Sequence, residues 1–182
     1  MKERYEVDVN HSVLGFTAKH LGVANVRGRF TGFSGYLDLD GDDVTSASVE
    51  IRVDAASIDT GVGQRDDHLR SADFFDAATH PTISFRSTSI TAAGDDAFRV
   101  EGDLTIRQTT RPITLDVTLE GRTPDPWGGK ERLGISASGQ INRMDYGLNW
   151  NGLAGVVPLA SHNIKLNIDL ELASKASAEA QS

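Results

Sequence analysis

The chain has 182 residues, no cysteine and a formal net charge of −8. Its length suits one domain with its own core, and 38% hydrophobic against 24% charged residues is the balance of a soluble globular protein rather than a disordered one. The missing cysteines exclude disulfides, thiol catalysis and cysteine-ligated metals, and the acidic balance argues against a nucleic-acid binder and against attachment to anionic lipid by overall charge alone, leaving only a local basic patch open.

The first twelve residues are polar and have no apolar h-region, so a signal peptide is not expected and a cytoplasmic location is. No run approaches the length of a transmembrane segment. Residues 12–20 carry a weak alternation that puts Leu14, Phe16, Ala18 and His20 on one side, and they predict the first strand. Residues 21–31 read as a link. Weak strands follow at 33–39 and 46–53, separated by the turn signal Asp40-Gly41-Asp42-Asp43. Residues 60–80 are too long for a hairpin loop and contain helix-like sequence, so a helical crossover is expected there. A further strand is predicted at 82–90. In 98–107, Phe98, Val100, Leu104 and Ile106 share one face and Arg99, Glu101, Asp103, Thr105 and Arg107 the other. Comparable alternation marks 113–120 and 164–172, and a weaker version marks 133–142. The small polar tail 174–182 reads as frayed.

One polar and one apolar face per strand means antiparallel pairing, and about eight such strands are best closed as a barrel or stacked as a sandwich. A single domain over 1–173 is expected. The inward faces mix Phe16, Phe85, Phe98, Leu104, Ile106 and Leu115 with Gly102, Ala137, Gly139 and Ser87. That mixture fits a barrel filled by its own side chains, and equally one that holds a small ligand.

The densest titratable stretch is QRDDHLRSADFFDAATHP, 64–81. On a helix over 62–71, Val62, Arg65, Asp66 and Leu69 share a side, Asp67 and Arg70 form an i,i+3 pair, and His68 lies elsewhere. Asp66 and Asp67 then diverge by about 100°, which makes a poor acid/base pair. His68 has no helical metal-ligand spacing. A structural reading is therefore preferred: Arg65, Asp66 and Leu69 anchor the helix, Asp73 caps a turn, Phe74 and Phe75 plug the interior, and His80-Pro81 ends the crossover. No nucleophile elbow or phosphate-cradling loop is present. Neither catalytic nor metal residues are expected.

Four blocks are similar to the YceI-like family. They are Asp8-Val9-Asn10-His11-Ser12 running to Phe33-Ser34-Gly35; Ser57-Ile58-Asp59-Thr60-Gly61 with Arg65-Asp66-Asp67-His68-Leu69-Arg70-Ser71 and Phe74-Phe75-Asp76; Gly102-Asp103-Leu104-Thr105-Ile106 with Thr110-Arg111-Pro112-Ile113; and Ile141-Asn142-Arg143-Met144-Asp145-Tyr146-Gly147. The likeness spans 5–172, with departures at Gln108-Thr109 and Ser161-His162. It implies an all-β fold, a single antiparallel eight-stranded lipocalin-like barrel covered on one side by the crossover. It also implies a long apolar pocket suited to an isoprenoid chain such as a quinone tail or prenyl lipid. Many family members are exported; the N-terminus here points to the cytoplasm instead.

The leading expectation is a binding, sequestering or carrier module for an isoprenoid lipid, with no cofactor and no residue doing chemistry. Expected contacts are Phe16, Phe30, Phe85, Val100, Leu104, Ile106, Leu115, Val117, Ile135 and Ile141, with His20 and Arg143 as polar groups at the mouth. The alternatives are an enzyme using His20, His68 or His80 with nearby acids, and a filled barrel acting through its surface. A homodimer is compatible with the exposed strand edges.

Overall fold

Alternation at a period of two becomes eleven strands in the computed structural model, which describes residues 2–152 and 159–175. The strands are β1 Lys2–Val7, β2 Val13–His20, β3 Ala24–Phe30, β4 Phe33–Asp40, β5 Ser48–Asp54, β6 Ile58–Asp59, β7 Thr82–Ala92, β8 Ala97–Ile106, β9 Thr109–Pro124, β10 Glu131–Asn142 and β11 Asn163–Ser174. One α-helix, α1 Gly63–Arg70, precedes β7. All pairings between these strands are antiparallel. The order β1-β4-β5-β7-β8-β9-β10-β11 closes on itself through β1–β11 pairing, giving an eight-stranded barrel. β2, β3 and β6 continue the sheet from β11 at one end.

Three neighbouring strands break at one level, and this explains why eleven segments build an eight-stranded wall. β1 and β2 are separated by a 3-10 turn that Asp8 caps by accepting from Asn10 N–H. β5 and β6 are separated by a second such turn, capped in the same way by Asp54 on Ala56 N–H. Between them, β3 passes into β4 through Thr31 and Gly32, whose backbones bond to Ser57 and Asp54 at 3.2 and 2.8 Å. Each interruption leaves ladder groups that need partners. Ser12 supplies one set: its Oγ accepts from Glu171 N–H at 3.0 Å and donates to Glu171 carbonyl at 3.4 Å.

The eight strands expected from sequence correspond to β2, β4, β5 and β7–β11. β1, β3 and β6 were not expected, and the segment 21–31 is no link but holds β3, hairpinned to β2. Its inward set, Val26, Gly28 and Phe30, is interrupted by a glycine and alternates with two arginines, which weakens the strand signature. The first two residues of the tail expected to fray are held in place. Ser174 is the buried last residue of β11, bonded through Oγ to Glu131, and Lys175 pairs with Glu6 at 2.7 Å. Residues 176–182 of that tail lie outside the described residues.

Buried side chains form two clusters. Tyr5, Leu37, Leu39, Leu133 and Leu172 make a floor near the loops at 40–47 and 124–130. The other cluster, including Leu14, Ile51, Val53, Phe74, Ile83, Leu104, Ile106, Tyr146 and Leu148, gathers toward the end that carries α1.

Candidate functional site: an apolar channel along the barrel axis

Between these clusters the barrel is open, with a cavity of about 420 Å³. Its wall is nearly all hydrocarbon, from Leu39, Leu133 and Leu172 at the floor to Ile113, Ile141 and Ile164 at the upper rim. Ile164 and Leu172 both line it, so it follows β11 for about 26 Å, or about 20 Å along the axis of a barrel tilted 35–45°. That volume drawn out over that length is a channel rather than a rounded chamber.

Glycines keep the axis clear. Phe16 lies opposite Gly28 across the β2–β3 ladder, and a methyl group on Gly28 would overlap the Phe16 ring. The Phe85 ring lies diagonally over Gly102 of β8, which pairs with Ser87. A large side chain that would otherwise reach the axis lies flat along the wall on a neighbouring strand's glycine. This decides between the filled and open barrels that the mixture of large and small residues allowed.

Polar groups enter the lining only toward the ends. At the floor, Arg122 reaches Asp42 at 3.3 Å and Glu131 at 3.8 Å. At the other end the lining includes Lys19, His20, Thr60, Arg65, His68 and Arg143. Lys19, His20 and Leu159 are exposed, so the channel reaches solvent beside them.

The crossover roofs this end. The Asp66 carboxylate, only 6% exposed, accepts from both N–H and Oγ1 of Thr60, while Arg65 donates to Thr60 Oγ1 and carbonyl. The two charges are thus anchored through Thr60 and not by pairing with each other. Arg70 fastens the helix to the free edge of β6, donating to the carbonyls of Ala56 and Ile58 at 2.7 and 3.0 Å, and keeps its i,i+3 contact with Asp67. Asp73 does not cap the following turn. Its carboxylate takes His68 Nε2 at 2.8 Å, and Ser71 Oγ accepts from Asp73 N–H instead. Phe75 meets Phe30 edge-on with ring centroids 5.8 Å apart, and Phe74 packs with His68 and Trp150.

All twelve residues expected as contacts line the channel: Phe16, His20, Phe30, Phe85, Val100, Leu104, Ile106, Leu115, Val117, Ile135, Ile141 and Arg143. Arg143 differs from expectation in what it offers. It is 3% exposed, and its guanidinium donates to the carbonyls of Leu148, Trp150, Ala160 and Ser161 and to Asn151 Oδ1. Every N–H is occupied, so it ties residues 148–151 to 160–161 at the rim and presents no donor to a ligand. Burial without a carboxylate partner among the described residues pushes its pKa below the ordinary arginine value. Sequence reasoning missed Trp150, Leu159 and Ala160 as lining because they sit in a connection with no period; the tryptophan is a signal only in hindsight.

The histidines do not assemble. His68 is alone among His20, His68 and His80 in having a carboxylate partner among the described residues. The one grouping of possible metal ligands among them is Asp8, His11 and Glu171, and Arg132 occupies it, bonded to both Asp8 and Glu171. A guanidinium already supplies the positive charge those oxygens need. No helix among the described residues is long and apolar enough to cross a membrane.

A closed antiparallel barrel with an apolar bore and a helical roof belongs to the lipocalin-like class of architectures. The YceI-like domain model matches residues 5–172, and the chain belongs to that family. It is 38% identical to Protein YceI of Escherichia coli over 146 residues, 79% of this chain and 75% of that one. Its fold is similar to Burkholderia cenocepacia BcnA, with TM-score 0.80 at 23% identity over 91% of this chain and 98% of that one. It is also similar to a polyisoprenoid binding domain from Saccharophagus degradans, with TM-score 0.67 at 17% identity over 93% and 98% of the two chains.

Proposed function

We propose that the barrel binds a long apolar lipid, a prenyl chain or the tail of an isoprenoid quinone, and acts as a sequestering or carrier module rather than an enzyme. The observation that carries this is the channel: about 420 Å³, hydrocarbon-walled from floor to rim, polar only at its ends. Family membership and a fold shared with a polyisoprenoid binding domain support the same ligand class. Burial of the chain supplies about 25 cal/mol per Å², against which the cost of association is set, so affinity requires no hydrogen bond. His20 stands where a head group would leave the channel. The twelve lining residues named above are the proposed contacts, Arg143 by holding the rim.

Mass spectrometry of an organic extract from natively purified protein tests this. A co-purifying prenyl lipid, or saturable quenching of Trp150 fluorescence by added quinone in a Trp127→Phe background, is the expected result. A clean extract together with no binding of added prenyl lipids overturns the proposal.

A further inference from the structure

The β2–β3 hairpin breaks two rules at its tip. His20 to Val23 form a tight turn closed by Val23 N–H on the His20 carbonyl at 3.0 Å, with Leu21 at φ 50° and Gly22 at φ 71°. Positive φ at both central positions favours glycine, asparagine or aspartate and strains leucine. Leu21 is also 45% exposed, and Val23 is 80% exposed. Neither backbone geometry nor burial selects these two side chains. Leu21 N–H donates to the Leu159 carbonyl at 3.1 Å, which sets a third exposed apolar residue beside them, and Leu159 lines the channel.

The same hairpin is basic in an acidic chain. Residues 9–37 contain Lys19, Arg27 and Arg29 and no aspartate or glutamate, in a protein of net charge −8. The ladder pairs Thr17 with Arg27, Lys19 with Asn25 and Gly15 with Arg29, so the three cations share the outer face. Lys165, paired with Thr17, extends their row. Arg29 approaches Asp59 at 3.6 Å, whereas Lys19 and Arg27 have no carboxylate partner among the described residues.

We propose that this tip docks the barrel on an anionic bilayer: Leu21 and Val23 enter the headgroup layer and the unpaired cations meet lipid phosphates. Apolar side chains flanked by cations are the composition such a surface retains. A second copy of the chain fits less well, because a two-fold contact would bring two basic hairpins together. Docking would set the channel mouth against the phase that holds its cargo; this last step rests on the lipid-binding reading, and docking itself does not.

Flotation of the whole protein with vesicles of roughly one-third phosphatidylglycerol in phosphatidylcholine, against pure phosphatidylcholine, tests it. Expected is association about 25-fold stronger with the anionic vesicles, about fivefold for each of the two unpaired cations. Arg27→Glu weakens it roughly 30-fold, about fivefold per unit charge. Leu21→Asn with Val23→Ser weakens it about tenfold, although asparagine suits the turn and leaves Tm unchanged or higher. Equal association with both vesicle types, none with either, or indifference to these substitutions overturns the inference. So does self-association of the wild type that the same substitutions abolish without any vesicle binding. Prenyl lipid added from detergent separates the two readings: the tip variants still bind it if docking alone is wrong, and every protein including wild type fails to bind it if the channel reading is wrong.

Discussion

Gly28 shows how one missing side chain sets the bore of the channel. Phe16 lies flat only because nothing stands on the opposite strand. In Gly28→Ala the ring has to swing toward the axis, a movement that costs little because the ring is the far end of a flexible side chain. The expected outcome is a fall in Tm of only a few degrees with a loss of about tenfold or more in prenyl-lipid affinity, read by thermal melts and lipid titration of the same preparation. Unchanged affinity would show that the flat rings do not define the bore. The mixture of large and small inward residues was legible in the sequence. Which glycine serves which ring was not, because that depends on lateral register, and an alternation pattern reports faces but not neighbours. Arg143 was misread for a similar reason. A lone arginine after a strand suggests a head-group ligand, whereas its acceptors are backbone carbonyls of a later segment that no side-chain pattern reveals.

The crossover is the element on which sequence reasoning went furthest. The divergence of Asp66 and Asp67, the Asp67–Arg70 pair and the plugging role of Phe74 and Phe75 follow from helical spacing and composition. One fastening, Arg70 to the carbonyls of Ala56 and Ile58, was hidden because a 3-10 turn and a two-residue strand leave no periodic trace. Phe75 is half-buried against Phe30 and faces the channel, while His68 is held by exposed Asp73 and touches Trp150 at a ring-centroid distance of 4.5 Å. Phe75→Ala should therefore cost about 2 kcal/mol in urea unfolding and speed lipid release. His68→Ala should cost less than half as much and leave release near wild type. Equal effects would mean the roof is held by the His68–Phe74–Trp150 cluster rather than by Phe75.

Across the whole molecule, alternation located eight of the eleven strands, seven of them in the closed barrel, and concealed the breaks that create the others. β8 was readable because Phe98, Val100, Leu104 and Ile106 never leave one face. β1 was not, since Tyr5 and Val7 are its whole apolar signal. The barrel seam between β1, β11 and the 125–132 region is tied by Arg132, which bonds Asp8 at 2.9 Å, Asp125 at 3.2 Å and Glu171, with Trp127 stacked beside it. Arg132 is the first cause of the low Asp8 pKa, with His11 next; at Asp125 the backbone N–H of Trp127 leads and Arg132 adds to it. A carboxylate whose folded pKa is depressed contributes stability above its unfolded value, near pH 3.9, and that contribution is lost as pH falls through the folded value. Arg132→Ala should thus lower Tm most at pH 6–7, and the gap from wild type should close progressively below about pH 4. A gap constant down to pH 2 would assign the role of Arg132 to packing.

The floor of Tyr5, Leu37, Leu39, Leu133 and Leu172 has a consequence for choice among cargoes. A bore sealed at one end is a ruler. A chain shorter than the distance from His20 to the floor leaves methylene contacts unmade, and a longer one strands carbons in water at about 0.8 kcal/mol for each CH₂ left unburied. Among lipids of one chemical type, the depth of the floor would then sort by length, with the head group free to vary at the open end.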